Sequence, residues 1–374
     1  MKYILLFFLT LSLQSYAQNI ALGDSLVAIG KYNEAINTYK LASENSKNYK
    51  IAKVFEAKGN KNEALKYYQN YIKLDSTSIP INFDFGLLLL DVSKYDKAQI
   101  VFDKLVQNQK TNSIFLYYLG LSFEKLNEPG KAFKNYKLAS EIDSTYHKSN
   151  YKLAYFYSQI KQEEEGIKIC NRFIKQNSND IDMLKLRAQL YYILNEYSSA
   201  IIDYEMLLKL NQDDEFIYKD IAKAYFKLSN YKKAIEIYDY LLALNPEDSN
   251  YYFERALCFG NLNDFKKAQN DLDKTIELKQ LTFESEYFYK AVYYQKNVQL
   301  DYALKFYNKA FNENRENIEA YYQICVITDY KEVNKKKVLP VFKLFLKKFP
   351  QAHQSKTDYI TKRISQLKQE LHMQ

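Results

Sequence analysis

Apolar residues recur along this chain at three- and four-residue intervals, in stretches of about a dozen residues separated by short polar turns. That spacing predicts amphipathic helices, since it places the apolar side chains on one face. The stretches are also similar to one another. KYNEAINTY, NKNEALKYY, SKYDKAQIVF, NEPGKAFKNY, NEYSSAIIDY, SNYKKAIEIY and NDFKKAQNDL are variants of one phrase, each anchored on a small residue. The anchors are Ala35, Ala64, Ala98, Ala132, Gly166, Ala200, Ala234, Ala268 and Ala303; from Ala64 to Ala268 six successive steps are 34 residues, and the next is 35.

Twelve residues before each anchor stands a second small residue: Gly23, Ala52, Gly86, Gly120, Ala154, Ala188, Ala222, Ala256 or Ala291. In most copies a large apolar residue follows it by three places, at Phe55, Phe123, Tyr157, Tyr191, Tyr225, Phe259 and Tyr294. Each unit therefore predicts a helix, a tight polar turn such as Ser-Asn or Gly-Asn, and an antiparallel helix. The small residues let the two backbones approach, and the following aromatic is expected to fill the groove toward the next pair.

A fixed period of this length marks a solenoid, because one helical hairpin cannot bury its own apolar face and must stack on its neighbours. The pattern resembles the tetratricopeptide repeat. In the copy at residues 215–248, Tyr218 stands at the family's tryptophan position, Ala222 at its glycine and Tyr225 at its tyrosine. Ala234, Tyr238 and Pro246 follow at its alanine, aromatic and proline positions. No copy carries tryptophan. The resemblance implies an all-α right-handed superhelix of about nine to ten units over residues 18–352. The first unit is shortened, because Ala35 and Ala64 are only 29 apart. The tenth, near 319–352, is degenerate. Residues 353–374 repeat Tyr359, Ile360, Ile364, Leu367 and Leu371 at helical spacing, an amphipathic helix suited to capping the stack.

Composition agrees with helix. Among 374 residues, 47% are hydrophobic, and 8 glycines with 5 prolines are too few for the turns of a barrel or sandwich. Residues 1–17 read as a cleaved secretory leader: Lys2, an apolar run from Tyr3 to Leu13, then Ser15-Tyr16-Ala17 before Gln18. An exported protein, periplasmic or secreted, is expected. Export places Cys170, Cys258 and Cys325 in an oxidising compartment, but their wide separation suits buried apolar residues better than a disulfide.

Chemistry is sparse. His147, His353 and His372 are scattered without metal-ligand spacing, and no phosphate-binding glycine loop or nucleophile motif occurs. Glu163-Glu164-Glu165 suit a helix entrance, where the macrodipole favours negative charge. No catalysis, metal, cofactor or small-molecule substrate is expected, and nucleic acid is disfavoured because no reading module accompanies the positive charge.

In the resembled family the first helix of each unit lines the concave surface. Three residues before the small residue, that wall reads Tyr49, Phe83, Tyr117, Tyr151, Lys185, Lys219, Phe253 and Phe288. One residue after it, the wall reads Lys53, Leu87, Leu121, Tyr155, Gln189, Lys223, Leu257 and Val292. Two readings stay open for the aromatics: contacts to a protein or peptide partner with apolar anchors around an acidic stretch, or tighter packing between units in a chain with 37 tyrosines. Charge is uneven: residues 331–368 hold eleven basic residues and two acids, while the whole chain nets +8. Lys335, Lys336, Lys337, Lys343, Lys347 and Lys348 thus form a basic patch. It suits an acidic protein, anionic headgroups or a cell-wall polymer, or a solvated cap. The expectation is a non-catalytic exported scaffold; its rival is a subunit of a cell-envelope secretion or outer-membrane assembly that uses both groove and patch.

Overall fold

A computed structural model describes residues 19–42, 44–279 and 283–372. The leader read at 1–17 lies outside them. Among the described residues the regular structure is helical and no strand occurs. The chain divides into two compact units, Met1–Ser178 and Asn179–Gln374.

The first unit stacks five hairpins: α1 (19–28) with α2 (Tyr32–Lys40), α3 (Glu44–Ala57) with α4 (Lys61–Leu74), α5 (Ile79–Asp91) with α6 (Tyr95–Asn108), α7 (Ser113–Lys125) with α8 (Pro129–Ile142), and α9 (His147–Gln159) with α10 (Glu163–Gln176). The second pairs α11 (Ile181–Ile193) with α12 (Tyr197–Lys209), α13 (Glu215–Lys227) with α14 (Tyr231–Leu244), α15 (Ser249–Asn261) with α16 (Phe265–Leu278), α17 (Glu284–Lys296) with α18 (Leu300–Glu313), and α19 (Ile318–Lys331) with α20 (Lys335–Lys348). It ends in α21 (Gln354–His372), which packs on α20. Helix α2 has nine residues where the other second helices of the first unit have fourteen, which accounts for the five residues missing between Ala35 and Ala64.

Each of the first nine hairpins turns through a left-handed residue five places before its anchor. Gly30, Gly59, Ser93, Asn127, Lys161, Asn195, Ser229, Asn263 and Val298 all have φ between 58° and 74°. The next residue donates its N–H back to the first helix, as Asn230 does to the Tyr225 carbonyl at 2.9 Å, closing the C-terminal turn. That same residue then caps the second helix where its side chain permits: Asn60, Asn230 and Asp264 accept from Glu63, Lys233 and Lys267.

Both small positions do what the spacing implied. The fourteen alanines among them are wholly buried. Above each first-helix small residue sits the side chain four places after the anchor: Tyr39, Tyr68, Phe102, Tyr136, Cys170, Tyr204, Tyr238, Leu272 or Tyr307, none more than 1% exposed. A Cβ at Gly86 would stand 2.7 Å from the Phe102 ring, and one at Gly120 2.9 Å from Tyr136. These residues fill the space between units. The aromatics three after the first small residue, expected there, are only half-buried and lie at the hairpin flanks: Phe55 stacks on Tyr67 at 5.5 Å, and Tyr294 on Tyr302 at 5.1 Å.

Two hairpins of the second unit carry an ion pair between a half-buried arginine and a buried aspartate. Arg187 grips Asp203 through Nε and Nη2 at 2.8 and 2.6 Å, and Arg255 grips Asp271 at 2.8 and 2.7 Å. These pairs occupy one position of the period, and the unit between them has Ile221 and Ile237 there. At the last unit, α21 inserts Ile360 and Leu367 into the core of Cys325, Val338, Phe342 and Phe345. Arg363 of α21 holds Asp329 of α19 at 2.6 Å. Burial pushes the Asp329 carboxyl up, but the hydrogen bonds from Arg363 and Lys335 outweigh it and leave the group below its ordinary value.

Candidate partner-binding surface

First helices of neighbouring hairpins touch directly at α7 with α9 and at α15 with α17, and their free faces form a shared wall there. The two wall series behave differently because their positions differ in how far the neighbouring helix overlaps them.

In the first unit the series before the small residue is largely consumed by packing. Tyr117 is buried, its ring 5.6 Å from Tyr146 and 5.7 Å from Tyr136, so it belongs to the core between units and not to the wall. Phe83 lies against Phe102, Phe115 and Tyr118. Tyr151 is half-buried. The series after the small residue stays accessible. Tyr155 is exposed, and Leu87 and Leu121 line an open hollow of about 300 Å³ with Leu90, Tyr95 and Tyr118, rimmed by Asp91 and Lys125. An adjoining hollow of about 310 Å³ shares Leu87 and Asp91 but is charged, with Lys53 bonded to Glu56 and Asp84 at 3.1 and 3.3 Å. The wall here offers an apolar socket beside a polar one.

In the second unit Lys185 bonds to Asp214 at 3.1 Å and lies over the Phe216 ring. Its charge is therefore already partly neutralised. Gln189 is exposed, Lys219 and Lys223 are half-buried, and Phe253 packs against Tyr289 at 5.8 Å. Facing the lysines is Glu254, whose carboxyl burial pushes above its ordinary value while Lys223 and Lys227 pull it down.

The wall's acids were missed from sequence. They stand two residues before the small residue, at Asp84, Asp220 and Glu254, or four after it, at Glu56 and Glu124. Several receive the buried tyrosine hydroxyls: Tyr136 donates to Glu124 at 2.7 Å and Tyr204 to Asp220 at 3.0 Å. The equivalent hydroxyl of Tyr238, one period on, is buried without a partner, as is that of Tyr68. The signal was available, since the acid lies sixteen residues after its tyrosine in the Tyr204–Asp220 pair and again at Tyr238 and Glu254.

The basic patch divides likewise. Lys335 is half-buried and bonded to Asp329 at 3.2 Å, so it serves the cap and not the surface. Lys336, Lys337, Lys343, Lys347 and Lys348 are exposed; Lys348 sits over the Phe311 ring, and Lys337 is 3.7 Å from Glu332. The three cysteines are buried, and burial pushes the thiols of Cys258 and Cys325 up to about 12, which keeps them protonated. No group of three metal-ligating side chains converges among the described residues, and no helix there is long and apolar enough to cross a membrane.

Family models of the tetratricopeptide repeat match residues 48–78 and 219–278. No curated protein matches the chain. Among solved structures, the carboxy-terminal part of a TPR repeat-containing protein from Cytophaga hutchinsonii is similar in fold: 19% identity, 65% of this chain and 99% of that one covered, TM-score 0.54. Yeast Tom70 aligns over 96% of both chains at 13% identity and a TM-score of 0.41. YrrB, described as a TPR protein with an unusual peptide-binding site, aligns over 59% of this chain and 95% of its own at 16% identity and a TM-score of 0.36. The family models thus identify tetratricopeptide repeats at residues 48–78 and 219–278, and the 34-residue period, the paired small residues and the stacked hairpins carry the same repeat pattern through the neighbouring hairpins.

Proposed function

We propose that this protein is a non-catalytic, exported scaffold whose first-helix walls hold a polypeptide partner. The observation that carries this reading is the open apolar hollow between Leu87 and Leu121, next to a charged one that shares its rim. Hollows at the pitch of one repeat suit successive side chains of an extended or helical segment, with an aliphatic or aromatic anchor in the apolar socket. In the second unit, Lys219 and Lys223 offer positive charge to an acidic residue of such a segment. Open hollows of this kind admit water freely, which favours binding over chemistry that needs a dry site. The leader-like residues 1–17 support export, and the periplasm is the compartment we assign.

The test is site-specific photo-crosslinking in the organism of origin from Leu121 and Lys223, with exposed Ile202 on a second helix as the control. We expect one discrete partner captured from the wall positions, absent from Ile202, and lost in Leu87→Asp. Equal capture from Ile202, or capture indifferent to Leu87→Asp, overturns the wall as the binding surface. The amino-terminal residue of the purified native protein tests export: Gln18 supports it, and a retained leader opposes it.

A further inference from the structure

We propose that the outer face of α20, together with the apolar tip just before it, seats on a lipid surface bearing anionic headgroups. This goes beyond the wall and does not depend on it. Helix α20 buries Val338, Phe342 and Phe345 on one side. Lys336, Lys343 and Lys347 follow one another at seven and four residues, which places them on the opposite side along about 16 Å of helix. All three are exposed, and among the described residues no acid lies within ion-pair distance of them.

What distinguishes this face from a merely solvated basic one is its tip. Tyr330, in the last turn of α19, and Val333, in the bend into α20, are 80% and 88% exposed. A globular partner recognises apolar anchors by enclosing them in sockets, and would order the lysines through fixed carboxylate geometry. A bilayer interface instead accepts a protruding tyrosine and valine between its headgroups, and it neutralises lysines as point charges wherever they fall. Lysine fills every basic place on this helix; arginine, the residue of choice for fixed bidentate contacts, is absent from it. The chemistry therefore favours a diffuse anionic plane over an acidic polypeptide.

The test places an environment-sensitive NBD fluorophore at Val333→Cys in the full chain; Cys170, Cys258 and Cys325 are wholly buried and leave position 333 as the reactive thiol. Added vesicles are phosphatidylcholine alone or phosphatidylcholine with phosphatidylglycerol. We expect a blue-shifted, brighter emission on the anionic vesicles only, reversed by salt. Each lysine near such a surface strengthens partitioning about five-fold. K336E/K343E/K347E should therefore abolish the shift, and K336Q/K343Q/K347Q should weaken it at least about a hundred-fold, with helical circular dichroism retained in at least one of the two. An equal response on neutral vesicles, no response on anionic ones, or a response indifferent to both triple variants overturns the proposal. So does soluble polyglutamate producing the same emission change, because that assigns the face to an acidic polymer.

Discussion

At the scale of single residues, the fold is set by two positions with opposite requirements. Where helices cross, the chain needs the smallest side chain, because a ring from the second helix lies directly on the backbone at Gly86 and Gly120. Where the hairpin turns, it needs positive φ, which costs a residue with a Cβ about 1–2 kcal/mol relative to glycine. Glycine, asparagine or serine meets that need at seven of the nine turns, and Val298 is a β-branched residue held at φ 60° and 79% exposed. Val298→Gly should therefore stabilise the protein by about 0.5–1 kcal/mol, the strain released being partly offset by the freer unfolded chain. Thermal unfolding followed by circular dichroism measures it; a lower midpoint would show that the valine makes contacts that outweigh its backbone strain. The small positions were legible in sequence because a steric limit at a crossing leaves few permitted residues. The wall was legible only in part. Whether Tyr117 faces outward depends on Tyr146, in the bend before the next helix, swinging over it, and no spacing rule encodes that closure.

At the scale of the element, helices pair through matched positions in place of a fixed consensus. In the second unit the residue before a first-helix small residue meets the one three after the anchor. Ile221 with Ile237 and Arg255 with Asp271 are the apolar and ionic solutions to one steric problem. In the following unit Lys290 lies over the Phe306 ring at 4.8 Å, a third solution. A buried pair of opposite charges contributes little net stability against well-packed hydrophobic residues, yet breaking one partner costs about 3–5 kcal/mol. Arg255→Ile alone should thus destabilise strongly, because Asp271 is left buried without its two hydrogen bonds. Arg255→Ile with Asp271→Ile, which recreates the preceding unit, should return to within about 1 kcal/mol of wild type or exceed it. Urea unfolding of these two variants and of Asp271→Ile alone closes the cycle, and additive losses in the double variant would refute the matched-position account. This pairing escaped the sequence reading because apolar periodicity counts arginine and aspartate as breaks in a stripe, whereas together they act as one buried unit.

At the scale of the whole molecule, a repeat stack faces a problem that a closed globule lacks: each end presents a surface built to receive another hairpin. Helix α21 answers it at the carboxy end. Ile360 and Leu367 are wholly buried against Phe342, Phe345 and Cys325, and Arg363 fastens the helix to Asp329 across 34 residues of sequence. Its other face is largely polar, with Lys362, Gln366 and Lys368 exposed, so it accepts the last repeat and presents little apolar surface beyond it, Tyr359 excepted. Removing residues 353–374 should leave the hairpins folded but bare the rings of Tyr322, which lies 5.9 Å from Tyr359 of α21, and of Phe345 beside it, an apolar surface of the kind that drives association. Sedimentation velocity of the truncated chain should show concentration-dependent oligomers where the full chain shows none, with helical circular dichroism per residue preserved. Arg363→Ala tests the clamp separately: it should loosen α21, seen as faster amide exchange over 354–372, without exposing the rings permanently. A truncated chain that stays monomeric would mean the last repeat is closed by its own side chains, and α21 would then be packing on a surface already complete without it.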